Sequence, residues 1–194
     1  MKRLLTILIL IFSLQTTSWA DDIRDFQIEG MSIGDSLLDY VSKEFINENK
    51  SNVYPEQDVY TTVLINKSTF ETYNSVQVDL KNNDKKFLIR GLAGFIYYLD
   101  SIEDCYSKQK EISLEISKVL KDVAKQIDNG KHPGDETGKS TYSRISFFLT
   151  ASSQQAEIEI VCFDNSKEFI YDDKLSVIFY SDKFAVFLRK YYRK

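Results

Sequence analysis

The feature that most constrains the fold is a long helical stripe in the middle of the chain. Between 102 and 127, mostly apolar side chains recur every three or four positions, and Ser101 with Asp104 forms a capping-box-like start. Three runs rich in β-branched and aromatic residues precede the stripe and three follow it, at 59–65, 75–80, 86–99, 142–149, 156–163 and 174–180. Strands grouped in this way predict a single α+β domain whose antiparallel sheet packs against a long central helix.

Shorter helices are predicted near both ends, which gives the order α-βββ-α-βββ-α. The first has Asp35 or Ser36 as its N-cap and four apolar side chains at helical spacing, Leu37, Leu38, Val41 and Phe45. The last begins after Ser181 and carries one apolar face made of Phe184, Phe187, Leu188 and Tyr191.

The third β-type run, 86–99, is long and apolar, but its composition argues against a membrane segment. It contains Arg90 and two glycines, Gly91 and Gly94. A charged residue and glycines within such a run are typical of a buried strand with a β-bulge.

The N-terminal twenty residues have the three parts of a secretory signal peptide. A basic start (Lys2, Arg3) precedes an apolar run, and the small-x-small pattern at 18–20 predicts cleavage between Ala20 and Asp21. Residues 21–194 would then form one domain, soluble in the periplasm or secreted. Losing two basic residues takes the formal charge from −4 to −6, and this acidic balance disfavours a nucleic-acid partner.

The mature chain contains two cysteines, Cys105 and Cys162. Cys105 falls on the apolar stripe of the long helix, and Cys162 is in phase with Ile158 and Ile160 on its strand. Because export favours oxidation, we predict a Cys105–Cys162 disulfide between helix and sheet. The alternative is two buried free thiols that pack as small apolar groups.

The letters Gly-Asp-Ser-Leu at 34–37 resemble the first block of the GDSL (SGNH) hydrolases, in which the serine is the nucleophile. That family also needs a Gly-x-Asn-Asp block and an Asp-x-x-His pair near the C-terminus, and the chain has neither. Its only histidine is His132. A serine hydroxyl without a nearby base is a poor nucleophile, so we expect Ser36 or Asp35 to cap a helix.

The stretch 129–140, "NGKHPGDETGKS", contains several groups that could bind a ligand. Its end resembles a phosphate-binding loop, but Pro133 stands where the first glycine is required. His132, Asp135 and Glu136 are too few for a closed zinc site, so no metal or other cofactor is predicted. We expect a solvated connection between a helix and a strand. If it has a function, it is that of a contact loop formed by His132, Asp135, Glu136 and Lys139.

The last twelve residues carry five basic groups and no acidic one. Such a basic amphipathic helix could bind an anionic membrane surface. A segment of about three turns needs tertiary packing to be helical, however, so docking on the protein's own sheet is favoured.

The block "FQIEGMSIGDSLLDY", together with the later "IVCFDNS", resembles a group of small exported bacterial proteins to which no activity is assigned. The resemblance implies export from a bacterium and a single domain. With no catalytic set in the sequence, we expect a binding or structural module whose partner is a small molecule or an exported protein. Two alternatives stay open: a hydrolase that uses Ser36 or the His132 loop, and a peripheral membrane protein that acts through its C-terminal helix.

Overall fold

The computed structural model describes residues 22–54, 58–120, 123–149 and 156–191. The predicted signal peptide, 1–20, and its cleavage site lie outside these residues. Short 3₁₀-helices span Ile23–Asp25 and Leu37–Asp39. The α-helices are α1 (Lys43–Asn49), α2 (Ile102–Val119) and α3 (Asp182–Tyr191). The strands are β1 (Lys50–Ser51), β2 (Tyr60–Ile65), β3 (Ser75–Lys81), β4 (Ile89–Tyr97), β5 (Ala124–Lys131), β6 (Thr141–Leu149), β7 (Ala156–Asp164) and β8 (Lys174–Tyr180).

The strands of the described residues form one antiparallel sheet in the order β1-β2-β3-β4-β8-β7-β6-β5. The two strand groups meet where β4 pairs with β8, so the last strand of each group lies at the centre of the sheet. Helix α2 packs on β7 and β8. The predicted α+β domain, with an antiparallel sheet against a long central helix, is confirmed.

The sheet has an inner face, covered by α2 and the N-terminal segment, and an outer face that α3 covers in part. Because side chains alternate along each strand, positions paired across strands point to the same face. One such row on the inner face is apolar and buried across six strands: Val63, Val78, Leu92, Phe179, Ile158 and Phe147. This row forms the middle of the main hydrophobic core.

A disulfide joins α2 to the inner face. Cys105 and Cys162 are bonded and fully buried, with their Cα atoms 6.0 Å apart. One turn further along α2, the Gln109 side-chain amide donates to the carbonyl oxygens of Ser143 (2.7 Å) and Ile160 (2.9 Å). The predicted disulfide between helix and sheet is confirmed, and these hydrogen bonds satisfy the buried amide beside it.

Helix α3 docks on the outer face. Phe184, Phe187 and Leu188 are buried, and the ring centroids of Phe184 and Tyr60 lie 4.7 Å apart. The apolar side of the basic C-terminal segment is therefore used in packing on the sheet, as predicted. No helix within the described ranges is both long and apolar enough to cross a lipid bilayer.

The predicted bulge lies in β4. Asp79 pairs with Gly91 and Leu80 pairs with Ile89, which leaves Arg90 as the extra residue. Gly91 lies directly beneath α3, and a Cβ atom there would come within 2.5 Å of the Phe184 ring. Glycine at this position is what lets α3 approach the sheet.

The central helix is shorter than the stripe predicts. It ends at Val119, and Ala124–Lys131 is instead a strand paired with β6 along its whole length. Ile127, which continues the helical spacing in the sequence, has a side chain that is 64% exposed. Hydrogen bonding to β6 outweighs the weak local helix preference here. The stretch at 132–140 consequently joins two strands of a hairpin, so the predicted helix-to-strand connection is wrong.

Two details of the predicted helix starts are also wrong. Ser101 makes no side-chain capping hydrogen bond to α2. The first predicted helix is divided into a 3₁₀-turn, Leu37–Asp39, and the short helix α1, which has Ser42 as its N-cap. The chain must turn between the two, because Leu37 and Ile46 both enter the core.

Candidate functional site

The block "IEGMSIGDSLLDY" folds into a hydrogen-bonded turn at the edge of the core. The Glu29 carboxylate accepts three backbone N–H groups, from Glu71 (3.0 Å), Thr72 (2.8 Å) and Tyr73 (2.9 Å). Partial burial raises the pKa of Glu29, but these three donors outweigh it and the net pKa is lowered. The glutamate thus holds the segment that follows β2 against the N-terminal part of the chain.

Asp35 and Ser36 have local structural contacts. The Asp35 carboxylate accepts the N–H of Ser32 at 2.9 Å and lies 2.8 Å from the Tyr40 hydroxyl. The Ser36 hydroxyl accepts from the N–H of Leu38 (3.3 Å) and donates to the carbonyl oxygen of Lys86 (2.9 Å). Ser36 therefore caps its 3₁₀-turn, and the prediction that either Ser36 or Asp35 is a cap is confirmed for Ser36.

The structure does not bring Ser36 and His132 together. Ser36 bridges to Leu88, immediately before β4, whereas His132 follows β5 at the edge of the sheet. Strands β4 and β5 are four positions apart in the sheet, which corresponds to roughly 19 Å at the usual strand spacing. A serine–histidine pair is not formed by these two residues.

The predicted contact loop is a tightly hydrogen-bonded hairpin end. The Asp135 carboxylate accepts from the N–H of Ser140 (2.8 Å) and from both the N–H (2.9 Å) and the hydroxyl (2.7 Å) of Thr137. These hydrogen bonds hold the pKa of Asp135 well below its ordinary value. Lys139 forms an ion pair with Glu168 at 2.6 Å, and Glu136 is exposed.

His132 packs at the base of this hairpin. Its ring centroid lies 5.0 Å from that of Phe163 and 4.9 Å from that of Phe169, and its Nδ1 accepts from the N–H of Gly134. Burial lowers the pKa of His132, and the charge of Lys174 lowers it further. Within the described residues, no group of three or more histidine, cysteine or acidic side chains is placed to hold a metal ion.

A groove at the opposite side of the molecule is the strongest candidate for a binding site. Its volume is about 880 Å³, which is within the range of small-molecule sites. It lies between α1, β1 and the turn that joins β3 to β4. Three apolar side chains contribute to its wall, Ile46, Leu80 and Phe87. We call this site the basic groove because of the side chains around it.

Four lysines line the basic groove: Lys43, Lys50, Lys81 and Lys85. All four are exposed, and none of their amines forms an ion pair or a hydrogen bond with another described residue. The groove also contains two aspartates, but these are already engaged. Asp58 accepts from the Asn82 amide at 2.8 Å, and Asp84 accepts from the N–H of Lys86 and lies 3.7 Å from Arg90. With four lysines against two aspartates, the groove presents net positive charge on a protein that is acidic overall.

The backbone around the basic groove is unusual. Three of its residues have positive φ without being glycine: Asp58 (36°), Asn83 (63°) and Phe87 (49°). For a bulky aromatic residue this conformation is strained. Phe87 is held in it by its N–H, which donates to the carbonyl oxygen of Asp84, and by its carbonyl oxygen, which accepts from Leu37. The turn that carries Lys81 and Lys85 is thus kept in one shape.

A second unusual group, the carboxyl group of Asp79, is buried beneath α3. It accepts from the Thr62 hydroxyl at 2.6 Å and lies 3.4 Å from the Tyr54 hydroxyl. Burial raises the pKa of Asp79 to about 6, although these hydrogen bonds oppose the change. Asp79 is 2% exposed, so it is closed off from solvent and does not face the basic groove.

Sequence reasoning missed the basic groove because its lysines come from separate segments. The nearest signal is the turn "KNNDKK" at 81–86, which reads as an ordinary solvated turn. In comparisons with known proteins, the chain has no match among protein-family models, curated proteins or solved structures. The functional proposal therefore depends on the charge and shape of the groove.

Proposed function

We propose that this protein is an exported binding module whose basic groove binds a ligand that carries carboxylate groups and an apolar part. The observation that carries the proposal is the set of four lysine amines without partners among the described residues. They surround a groove whose own aspartates are engaged. Ligand carboxylates would pair with the lysines, and the apolar part would contact the partly exposed Phe87.

The charge pattern supports an acidic ligand. Clustered like charges raise the local concentration of an oppositely charged ligand and speed its association. Because the amines are exposed, each contact contributes little by itself, and binding needs several contacts together with apolar burial. The mature chain as a whole is acidic, which disfavours nucleic acid as the ligand.

Export is part of the proposal. The buried disulfide between Cys105 and Cys162 supports folding in an oxidising compartment, and the N-terminal sequence has the pattern of a signal peptide. The resemblance to small exported bacterial proteins supports the same compartment. Mass spectrometry of the protein purified from the periplasm or medium should give a mature N-terminus at Asp21. Recovery of disulfide-bonded protein that still begins at Met1 would contradict cleavage of a signal peptide.

The binding proposal is tested with a fluorescein-labelled peptide that alternates leucine and aspartate, using fluorescence anisotropy. We expect Lys81→Gln combined with Lys85→Gln to weaken binding about tenfold, equivalent to about 1.4 kcal/mol. The matched control is Lys110→Gln with Lys118→Gln, which removes the same charge from exposed positions on α2. Equal affinities for the two double variants, or no binding by the wild type, would overturn the proposal.

A further inference from the structure

An exposed apolar surface lies at the end of the sheet where β4 finishes and β8 begins. Leu99 is 75% exposed, Ile170 is 85% exposed and Tyr171 is 55% exposed. The segment after β4 and the segment before β8 lie side by side, because Tyr97 is opposite Lys174 and the N–H of Tyr98 donates to the carbonyl oxygen of Asp173. Large apolar groups exposed on neighbouring segments are typical of an interaction surface.

Exposed carboxylates come close in the chain to these apolar residues: Asp100 follows Leu99, Asp172 follows Tyr171, and Glu103 and Asp104 lie in the first turn of α2. Asp100, Glu103, Asp104 and Asp172 are exposed, and no ion pair or hydrogen bond to their carboxylates is formed within the described part of the chain. The neighbouring amine of Lys174 is directed to the rings of Phe95, Phe163 and Tyr171, 5.1 to 5.5 Å from their centroids. We call this surface, with its apolar residues and its four carboxylates, the acidic end.

The acidic end and the basic groove lie at opposite ends of the same strand. The groove includes the turn that leads into β4, and the acidic end follows the last residue of β4. β4 has nine residues, which corresponds to roughly 30 Å of extended chain. The molecule therefore has a positive site and a negative site that cannot contact each other within one copy.

We propose that the basic groove binds the acidic end of a second copy of this chain, so that copies associate head to tail. This inference rests on the proposed function and names the source of the ligand. Four lysines on one side meet four carboxylates on the other. The exposed side chains of Leu99, Ile170 and Tyr171 supply the apolar part.

The geometry of this contact determines how the assembly grows. The two surfaces are different, so each contact is heterologous and leaves one unused groove and one unused acidic end. Association therefore continues past the dimer, into short chains or a closed ring. The contact depends on exposed charges, which predicts a weak interaction that increases with protein concentration and decreases with added salt.

Two double variants of the mature protein separate the two surfaces. The groove variant carries Lys81→Glu and Lys85→Glu, and the end variant carries Asp100→Asn and Asp172→Asn. By sedimentation velocity, the wild type should show a distribution that grows with concentration, whereas each variant alone should remain a monomer. In an equimolar mixture, the intact acidic end of the first should bind the intact groove of the second. Native mass spectrometry should then give a one-to-one heterodimer and nothing larger.

The mixture also controls for misfolding, because a heterodimer requires both variants to be folded. A wild type that stays monomeric into the millimolar range would overturn head-to-tail association. Association that persists in both variants, as pairing through the exposed edge of β5 would, overturns it as well. If a monomeric wild type still binds the leucine–aspartate peptide, only this inference fails. If neither self-association nor peptide binding is found, the proposed function fails with it.

Discussion

The buried carboxyl group of Asp79 makes the stability of the fold depend on pH in a direction opposite to that of most carboxylates. Its pKa is raised from 3.8 to about 6 by burial beneath α3. The unfolded chain therefore loses this proton at a lower pH than the folded protein does. Consequently, the contribution of Asp79 to stability is fully present below pH 3.8 and is lost as the pH rises through about 6.

The magnitude follows from the two pKa values. Each tenfold change in proton affinity corresponds to about 1.4 kcal/mol, so the full loss is about 3 kcal/mol, of which about 2 to 2.5 kcal/mol occurs between pH 4 and pH 8. Asp79→Asn keeps an oxygen that can accept from the Thr62 hydroxyl but cannot ionise. We expect this variant to match the wild type within about 1 kcal/mol at pH 4 and to exceed its free energy of unfolding by about 3 kcal/mol at pH 8.

Urea unfolding, followed by far-ultraviolet circular dichroism with the disulfide intact, measures both values. Asp39→Asn is the control, since it removes a carboxylate of the same type from an exposed position. Comparing each variant with the wild type at the same pH cancels the contribution of the other carboxylates, such as Asp135, whose pKa is lowered. A stability difference for Asp79→Asn that is the same at pH 4 and pH 8 would refute this account of the buried carboxyl group.

Three further predictions concern stability. Replacing both Cys105 and Cys162 with alanine removes a cross-link over 57 positions, which should lower the free energy of unfolding by up to about 4 kcal/mol. If both thiols of the native, non-reduced protein can be alkylated, the disulfide is absent. Ser36→Ala should cost about 0.5 to 2 kcal/mol in urea unfolding, through loss of the cap, and an unchanged stability would argue against that role. Gly91→Ala should lower the free energy of unfolding by about 1 to 3 kcal/mol, because the new methyl group meets the Phe184 ring at 2.5 Å. The control, Gly130→Ala, has its nearest contact at 3.1 Å and should cost less. Equal decreases in melting temperature for the two variants would show that α3 is not tightly docked.

Several elements of the fold could be predicted because their signals are local. Alternating apolar and polar residues identify strands such as β7 and β8, because successive side chains of a strand point to opposite faces of the sheet. Arg90 and Gly91 indicated the bulge, and the two cysteines indicated the disulfide because both fall on apolar faces. The same local reasoning failed at β5, where Ile127 extends the helical spacing although its segment pairs with β6.

The functional candidates divide in the same way. Composition and local pattern were enough to exclude a complete catalytic set around Ser36 and to predict that α3 docks on the sheet, because both depend on which residues are present and on their spacing. The basic groove, the acidic end and the buried Asp79 could not be predicted from composition and local pattern. Each is formed by residues that are far apart in the chain; for example, Lys43 and Lys85 line the same groove. Charge and burial depend on distances through space, which strand pairing and helix docking establish only once the chain has folded.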